Sequence, residues 1–295
     1  MIEKRIPKVW LGIALVAMAG FVLSSCTART AAVQTAPEAG VVLQYKMPAG
    51  QVLTYHESGQ VKESGEVMGQ LIESDTEATS TFSFRAKGPQ EDNHLLEVTI
   101  DDMTINVSSM QGELSPDLGT VVGKKFDMVL SPLGTEVDVS GAESVQYEFA
   151  GSTRNLASGF KIFFPDLPGR PVEIGDTWPS NFSIAEKNET TDITIEMQGI
   201  STLDGFETVD GMECARIKSE YTGTIQGTGN QQGAELYFSG NSKGTDVWYF
   251  AIKDGLYVKS TSDIVNDMVI DVTGPQNLTI PTTQIRKGEV RLIEK

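Results

Sequence analysis

Strict alternation of apolar and polar residues most limits how this chain can fold. Leu96 to Val107 reads LEVTIDDMTINV, and Asp192 to Met197 reads DITIEM. The same period of two runs through residues 215–225, 247–251, 256–260, 268–272 and 289–293. Successive side chains of a strand point to opposite faces, so such runs bury one face and solvate the other. Turn formers separate the runs: Ser131-Pro132-Leu133-Gly134, Asp204-Gly205, Asp210-Gly211 and Lys253-Asp254-Gly255. Strand-length runs joined by tight turns predict a mainly β protein built from antiparallel meanders, not βαβ units.

The alternating region divides into two similar halves. Gly50-Gln51-Val52-Leu53 opens the first, and Gly175-Asp176-Thr177-Trp178 opens the second. Each half closes on a hairpin, FDMVLSPLGTEVDVS at 126–140 and VWYFAIKDGLYVKST at 247–261. Matched order and near-matched spacing are the signature of an internal structural repeat. The halves then cover residues 41–139 and 169–295 of one β-rich domain. Between them, at 140–168, the alternation stops. Leu156, Phe160 and Phe163 fall at helical spacing, and Pro165 supplies a stop. This stretch is expected to be a helical insert, with helices over 142–150 and 153–164 capped by Ser140 or Ser152.

The N-terminus carries an address. Lys4, Arg5 and Lys8 precede the apolar run Val9 to Val22, whose 14 residues fall short of the roughly 20 that span a bilayer. They suit the apolar core of a signal peptide. Directly behind them, Leu23-Ser24-Ser25-Cys26 resembles the lipobox of bacterial lipoproteins. That resemblance implies a signal peptide over 1–25, recognition of Leu23, Ser24 and Ser25 by a signal peptidase, and lipid attachment to Cys26. Residues 26–40 have no apolar periodicity and read as a flexible tether. The resemblance further implies a lipid-anchored protein of the bacterial envelope. In an organism with two membranes, Thr27 in place of aspartate implies the outer membrane, facing the periplasm or the surface.

Composition narrows the partners. The chain holds 23 Lys and Arg against 40 Asp and Glu, a formal net charge of −17. Such a surface repels phosphate backbones, which excludes nucleic acid as a partner. Removal of residues 1–25 makes the balance more acidic, since three of the four charges lost are basic. Cys214 is the only cysteine besides Cys26, so no internal disulfide is available once Cys26 is lipidated. Its alternating context marks a buried structural thiol.

Catalytic signatures are missing. His56 and His94 stand apart in no metal-ligand spacing, and neither a zincin motif, a nucleophile elbow nor a phosphate-binding glycine loop occurs. Asp101-Asp102 and the pair Asp204 and Asp210 follow no calcium-loop spacing. The reading is a non-catalytic protein with no cofactor and no metal.

Three features occur together: the connector Pro165 to Pro171, Gly175-Asp176-Thr177-Trp178, and the aromatic strand Val247 to Phe250. In these the chain resembles a little-characterised family of bacterial lipoproteins, across most of residues 41–280. At the level of architecture it also resembles LolA- and LppX-type envelope proteins. That likeness implies a curved antiparallel sheet, half-barrel-like, whose concave face holds acyl chains under a helical cover. On it, Leu156, Phe160, Phe163, Trp178, Trp248 and Phe250 are the candidate lining for a lipid or other hydrophobic ligand. The alternative is that they form a solid core, leaving a tethered module that binds another envelope protein.

Overall fold

The computed structural model describes residues 40–110, 112–231, 233–274 and 277–295. Leu23, Ser24, Ser25 and Cys26 lie outside the described residues. The first half supplies β1 (Val52–Val67), β2 (Gln70–Gln90), β3 (Asn93–Ser109), β4 (Gly112–Leu114), β5 (Lys125–Leu130) and β6 (Glu136–Asp138). The insert holds β7 (Gln146–Phe149), β8 (Ser152–Asn155) and the single-turn helix α1 (Ala157–Phe160). The second half supplies β9 (Thr177–Pro179), β10 (Phe182–Lys187), β11 (Thr191–Val209), β12 (Met212–Gln231), β13 (Ala234–Ala251), β14 (Leu256–Thr273) and β15 (Leu278–Glu294).

One antiparallel, curved and unclosed sheet takes 13 of these strands, in the order β10-β11-β12-β13-β14-β15-β1-β2-β3-β5-β6. β4 pairs with β3 and β9 with β11 beside this path. The last strand, β15, pairs with β1 and joins the two halves into one continuous sheet. Strand order runs alike in both halves. β2 and β3 meet at a tight turn where Glu91 takes φ 55°, and β11 and β12 meet at one where Asp210 takes φ 49°. The 126–140 hairpin becomes β5–β6 and the 247–261 hairpin becomes β13–β14. Strand length separates the halves: β5 and β6 have 6 and 3 residues, while β13 and β14 have 18 each. At about 3.3 Å per residue, the long strands reach some 60 Å.

Period two decides the faces. Along β12 the inward positions hold Ile217, Ser219, Tyr221 and Ile225, while the outward Lys218, Glu220, Thr222, Thr224 and Gln226 are exposed. The outer face of β12 is therefore hydrophilic. The outer face of a membrane-embedded β-barrel is instead an apolar band. Asp204-Gly205, which reads as a turn, lies inside β11, where the pairing slips by one residue between Leu203 and Gly205. It is a β-bulge, the other structure that a glycine within a strand produces.

The insert is less helical than its spacing suggests. Ser140–Ser144 forms one 3-10 turn, β7 and β8 pair as a hairpin, and only Ala157–Phe160 is α-helical. The reason is local. Gln146-Tyr147-Glu148-Phe149 alternates, with Tyr147 and Phe149 buried, and Ala150 and Gly151 both take positive φ, at 53° and 80°. That is the backbone of a two-residue hairpin turn. Neither expected serine caps a helix. Asn155 Oδ1 accepts from Ala157 N at 3.0 Å instead, and Ser152 hydrogen-bonds Thr190.

Two apolar cores form on the inner face. The larger gathers aromatic rings beneath the insert, and the smaller gathers aliphatic side chains toward the far ends of β11 to β15. The insert bridges the two edges of the sheet. Phe160 packs on Phe126 of β5 at 4.9 Å, and Arg154 pairs with Glu186 of β10 at 2.6 Å. Residues 41–47 run extended across the same end, with Val41, Leu43, Tyr45 and Met47 buried. Tyr45 N donates to Pro132 O and Lys46 N to Gly255 O, which ties this segment to both hairpins.

Candidate functional site

The six residues read as a ligand lining are all buried, and all six belong to the large apolar core. Phe160 contacts Phe82 at 5.0 Å and Phe163 packs on Phe84 at 4.8 Å. Phe250 meets Tyr45 edge-on at 5.1 Å, and Leu156 belongs to the same cluster. Trp178 and Trp248 meet edge-on at 6.3 Å, and the Trp248 indole donates to Ser219 Oγ at 3.1 Å. Of the six, only Phe163 also lines a partly open space.

The Gly-Asp-x-Trp motif is a turn that seats a core residue. Gly175 takes φ 94°. Asp176 accepts from Glu173 N and Arg170 at 3.0 Å each, and these bonds hold its carboxyl below the usual range. Two residues on, the Trp178 indole donates to Asp166 O at 3.2 Å.

The space is a partly open chamber of about 190 Å³. It lies beside the insert, where the aromatic core stops and the inner face turns polar. Strand register explains it. Directly paired residues place Ser201, Ser219, Asp246, Ser262, Gly288 and Gly59 in one inward row across six strands. Most of these side chains are too short to fill the interior. Its apolar lining includes Ile162, Phe163, Phe164, Phe182, Ile184 and Ile264. Its polar lining includes Glu57, Asp246, Ser260 and Arg286.

Farther along the strands a polar ladder crosses four paired positions. Ser242 Oγ donates to Asn266 Oδ1 at 2.7 Å, Asn266 Nδ2 donates to Gln284 Oε1 at 3.3 Å, and Gln284 donates to Glu63. Burial pushes the Glu63 carboxyl up to about 7, against the lowering pull of Gln284 and Arg286. Burial lowers Arg286 to about 10, while Glu186 and Glu63 favour its charged form.

Glu57 and Asp246 differ from that ladder. Glu57 is 5% exposed, and its Oε2 is buried with no hydrogen-bond partner. Asp246 Oδ1 is in the same condition. Burial pushes Glu57 up to about 8 and Asp246 up to about 7, with no opposing cation among the causes. Sequence alternation could have flagged both, because each occupies an inward position of its strand. Neither lies in a motif, so reading for motifs passed over them.

The other residues considered for chemistry are engaged elsewhere. His56 hydrogen-bonds Thr81, and His94 hydrogen-bonds Tyr45 O. Asp204 pairs with Arg216 and Lys218, and Asp210 with Arg291. Asp101 accepts from Ser83. Cys214 is buried, and its thiol is pushed up to about 12. Among the described residues, no group of three or more His, Cys, Asp or Glu is placed to hold a metal. Broader hollows of about 740 and 680 Å³ are open to solvent.

No family model matches this chain, and no curated protein does. Among solved structures, an outer-membrane channel from Pseudomonas putida F1 aligns at 12% identity and TM-score 0.24, covering 88% of this chain and 100% of that one. OccK2 from Pseudomonas aeruginosa, in complex with glucuronate, aligns at 5% identity and TM-score 0.24, covering 86% of this chain and 100% of that one. A DUF1329 family protein from Desulfovibrio piger aligns at 13% identity and TM-score 0.15, covering 83% and 86%. Similarity of this degree assigns neither a family nor a function.

Proposed function

We propose that this chain is a lipid-anchored protein of the bacterial envelope that binds a small hydrophobic or amphipathic ligand without transforming it. The chamber carries this reading: a partly open space with apolar lining residues and buried polar atoms left without partners. Native proteins leave few such atoms, and each calls for a water, an ion or a ligand. At about 190 Å³ the chamber lies below the roughly 300–1,000 Å³ of drug-sized pockets. The ligand it suits is a small molecule or the end of one acyl tail, not a whole phospholipid.

The anchor rests on Leu23-Ser24-Ser25-Cys26. Intact mass of protein extracted from membranes should show an acylated chain that begins at Cys26, and Cys26→Ser should release the protein into the soluble fraction. For the ligand, native mass spectrometry of the detergent-free protein is expected to show a bound small molecule. Displacement by alkyl compounds in solution should follow, and a chain that takes up none of them overturns the binding reading.

The filled aromatic core supports a second reading, a tethered module whose acidic outer face meets another envelope protein. Crosslinking in intact cells separates the two. One reproducible partner together with an empty chamber favours the module.

A further inference from the structure

We infer that the chamber selects an organic cation: a primary ammonium drawn to the buried carboxyls of Glu57 and Asp246, its short alkyl part against Phe163, Phe182 and Ile264. This deepens the proposed function and rests on it.

The geometry points there in three steps. First, the two carboxyls come from different strands, β1 and β13, and line one partly open space, and each presents a buried oxygen with no partner. An ammonium brings three donors and a positive charge, which satisfies unpaired carboxylate oxygens. Second, Arg286, which lines the chamber together with Lys161, is drawn to Glu63 and Glu186. Third, the surrounding rings favour a cation. The Phe163, Phe164 and Tyr257 side chains line the chamber, and aromatic faces attract desolvated ammonium groups. The chain's net charge of −17 adds a long-range field that draws cations and repels fatty carboxylates.

The remaining ionisable groups facing the chamber are Tyr221 on β12, Tyr257 on β14, Arg286 on β15, and Lys161 and Asp166 on the insert. Burial pushes Tyr221 up to about 12 and Tyr257 well above its ordinary value, so neither titrates near neutrality. Burial also raises Asp166.

Calorimetric titration of residues 27–295 tests the inference, with n-alkylammonium ions, n-alcohols and n-carboxylates of equal length as probes. The ammonium should bind at least tenfold more tightly than the alcohol, and the carboxylate more weakly still. Its affinity should rise between pH 6 and 8.5 as Asp246 and Glu57 release their protons. Glu57→Gln and Asp246→Asn should each weaken ammonium binding at least tenfold while leaving the alcohol unchanged. The double variant should lose the pH dependence, which separates these two groups from Glu63. If either variant fails to fold, as judged by thermal melting, the other carries the test. Alcohols or carboxylates that bind as tightly as the ammonium overturn the cation and leave a hydrophobic site standing. No binding by any series overturns both.

Discussion

The two ends of the inner face are closed by different means. Beneath the insert, Tyr45, Tyr55, Phe82, Phe84, Phe160, Phe163, Phe164 and Phe250 pack together, largely edge to face, and they come from segments distant in sequence. At the far end, Ile193, Ile195, Ile225, Phe238, Ile270 and Ile280 meet on the sheet's own curved face, with glycines between them. A Cβ at Gly227 would lie 2.6 Å from Asp192 O and 2.7 Å from Ile193 Cα, so any side chain there forces backbone apart. One end is sealed by a separate lid, and the other by curvature that needs small residues. The chamber occupies the stretch between them, where neither device fills the interior.

Perturbing each end tests this contrast. The largest effect is expected from Trp248→Ala, which removes a 1%-exposed ring and its bond to Ser219. Loss of such a side chain costs about 3–5 kcal/mol, readable by urea denaturation. Ile225→Ala in the far core, fully buried, should cost about 2–4 kcal/mol. Hydrogen exchange should then show the loss concentrated in the far ends of β11 to β15. Equal loss beneath the insert would mean that the two cores unfold as one unit. Next comes Gly227→Ala, which should cost about 1–3 kcal/mol by overpacking and loosen the same far region.

A pH series addresses the stretch between the cores. Burial raises Glu57 from 4.5 to about 8 and Asp246 from 3.8 to about 7. Across that window the folded state keeps protons that the unfolded chain has released. Stability is therefore greatest below about pH 4 for these groups and falls as pH rises toward 8. Each contributes at most about 1.4 kcal/mol per pH unit. Glu57→Gln should flatten the fall in melting temperature between pH 5 and 8, and an unchanged slope would mean the carboxyl is solvated. The smallest change is expected from Arg154→Ala. Its pair with Glu186, side chains 11% and 23% exposed, should be worth about 1 kcal/mol. Its loss should raise hydrogen exchange in β7 and β8 more than in the sheet.

Much of the fold was legible in advance, and particular residues show why. Along β12 and β13, alternation separated inside from outside because one face is buried for the whole strand. The hairpins at 126–140 and 247–261 formed where their turn residues stand. The insert was harder. Leu156, Phe160 and Phe163 satisfy a helical stripe, but Tyr147 and Phe149 satisfy a strand, and a short segment that serves as a lid takes whichever shape seats its rings. The candidate site divided in the same way. Phe160, Trp178 and Trp248 were identified correctly as inward-facing, yet filled core and ligand lining demand the same residue types. Glu57 and Asp246 were hidden because a carboxylate in a strand usually faces water. Their inward parity in β1 and β13 shows that these two do not.

From the sequence alone came the β class, the meander connectivity, and the inward and outward faces. These follow from period two and from local turn chemistry, which act over a few residues. The tertiary structure alone decided that β15 pairs with β1 to make one sheet, that the insert spans its two edges, and that small residues from six strands align into one row. Those outcomes depend on register between segments far apart in the chain, and a one-residue slip would turn every side chain to the opposite face.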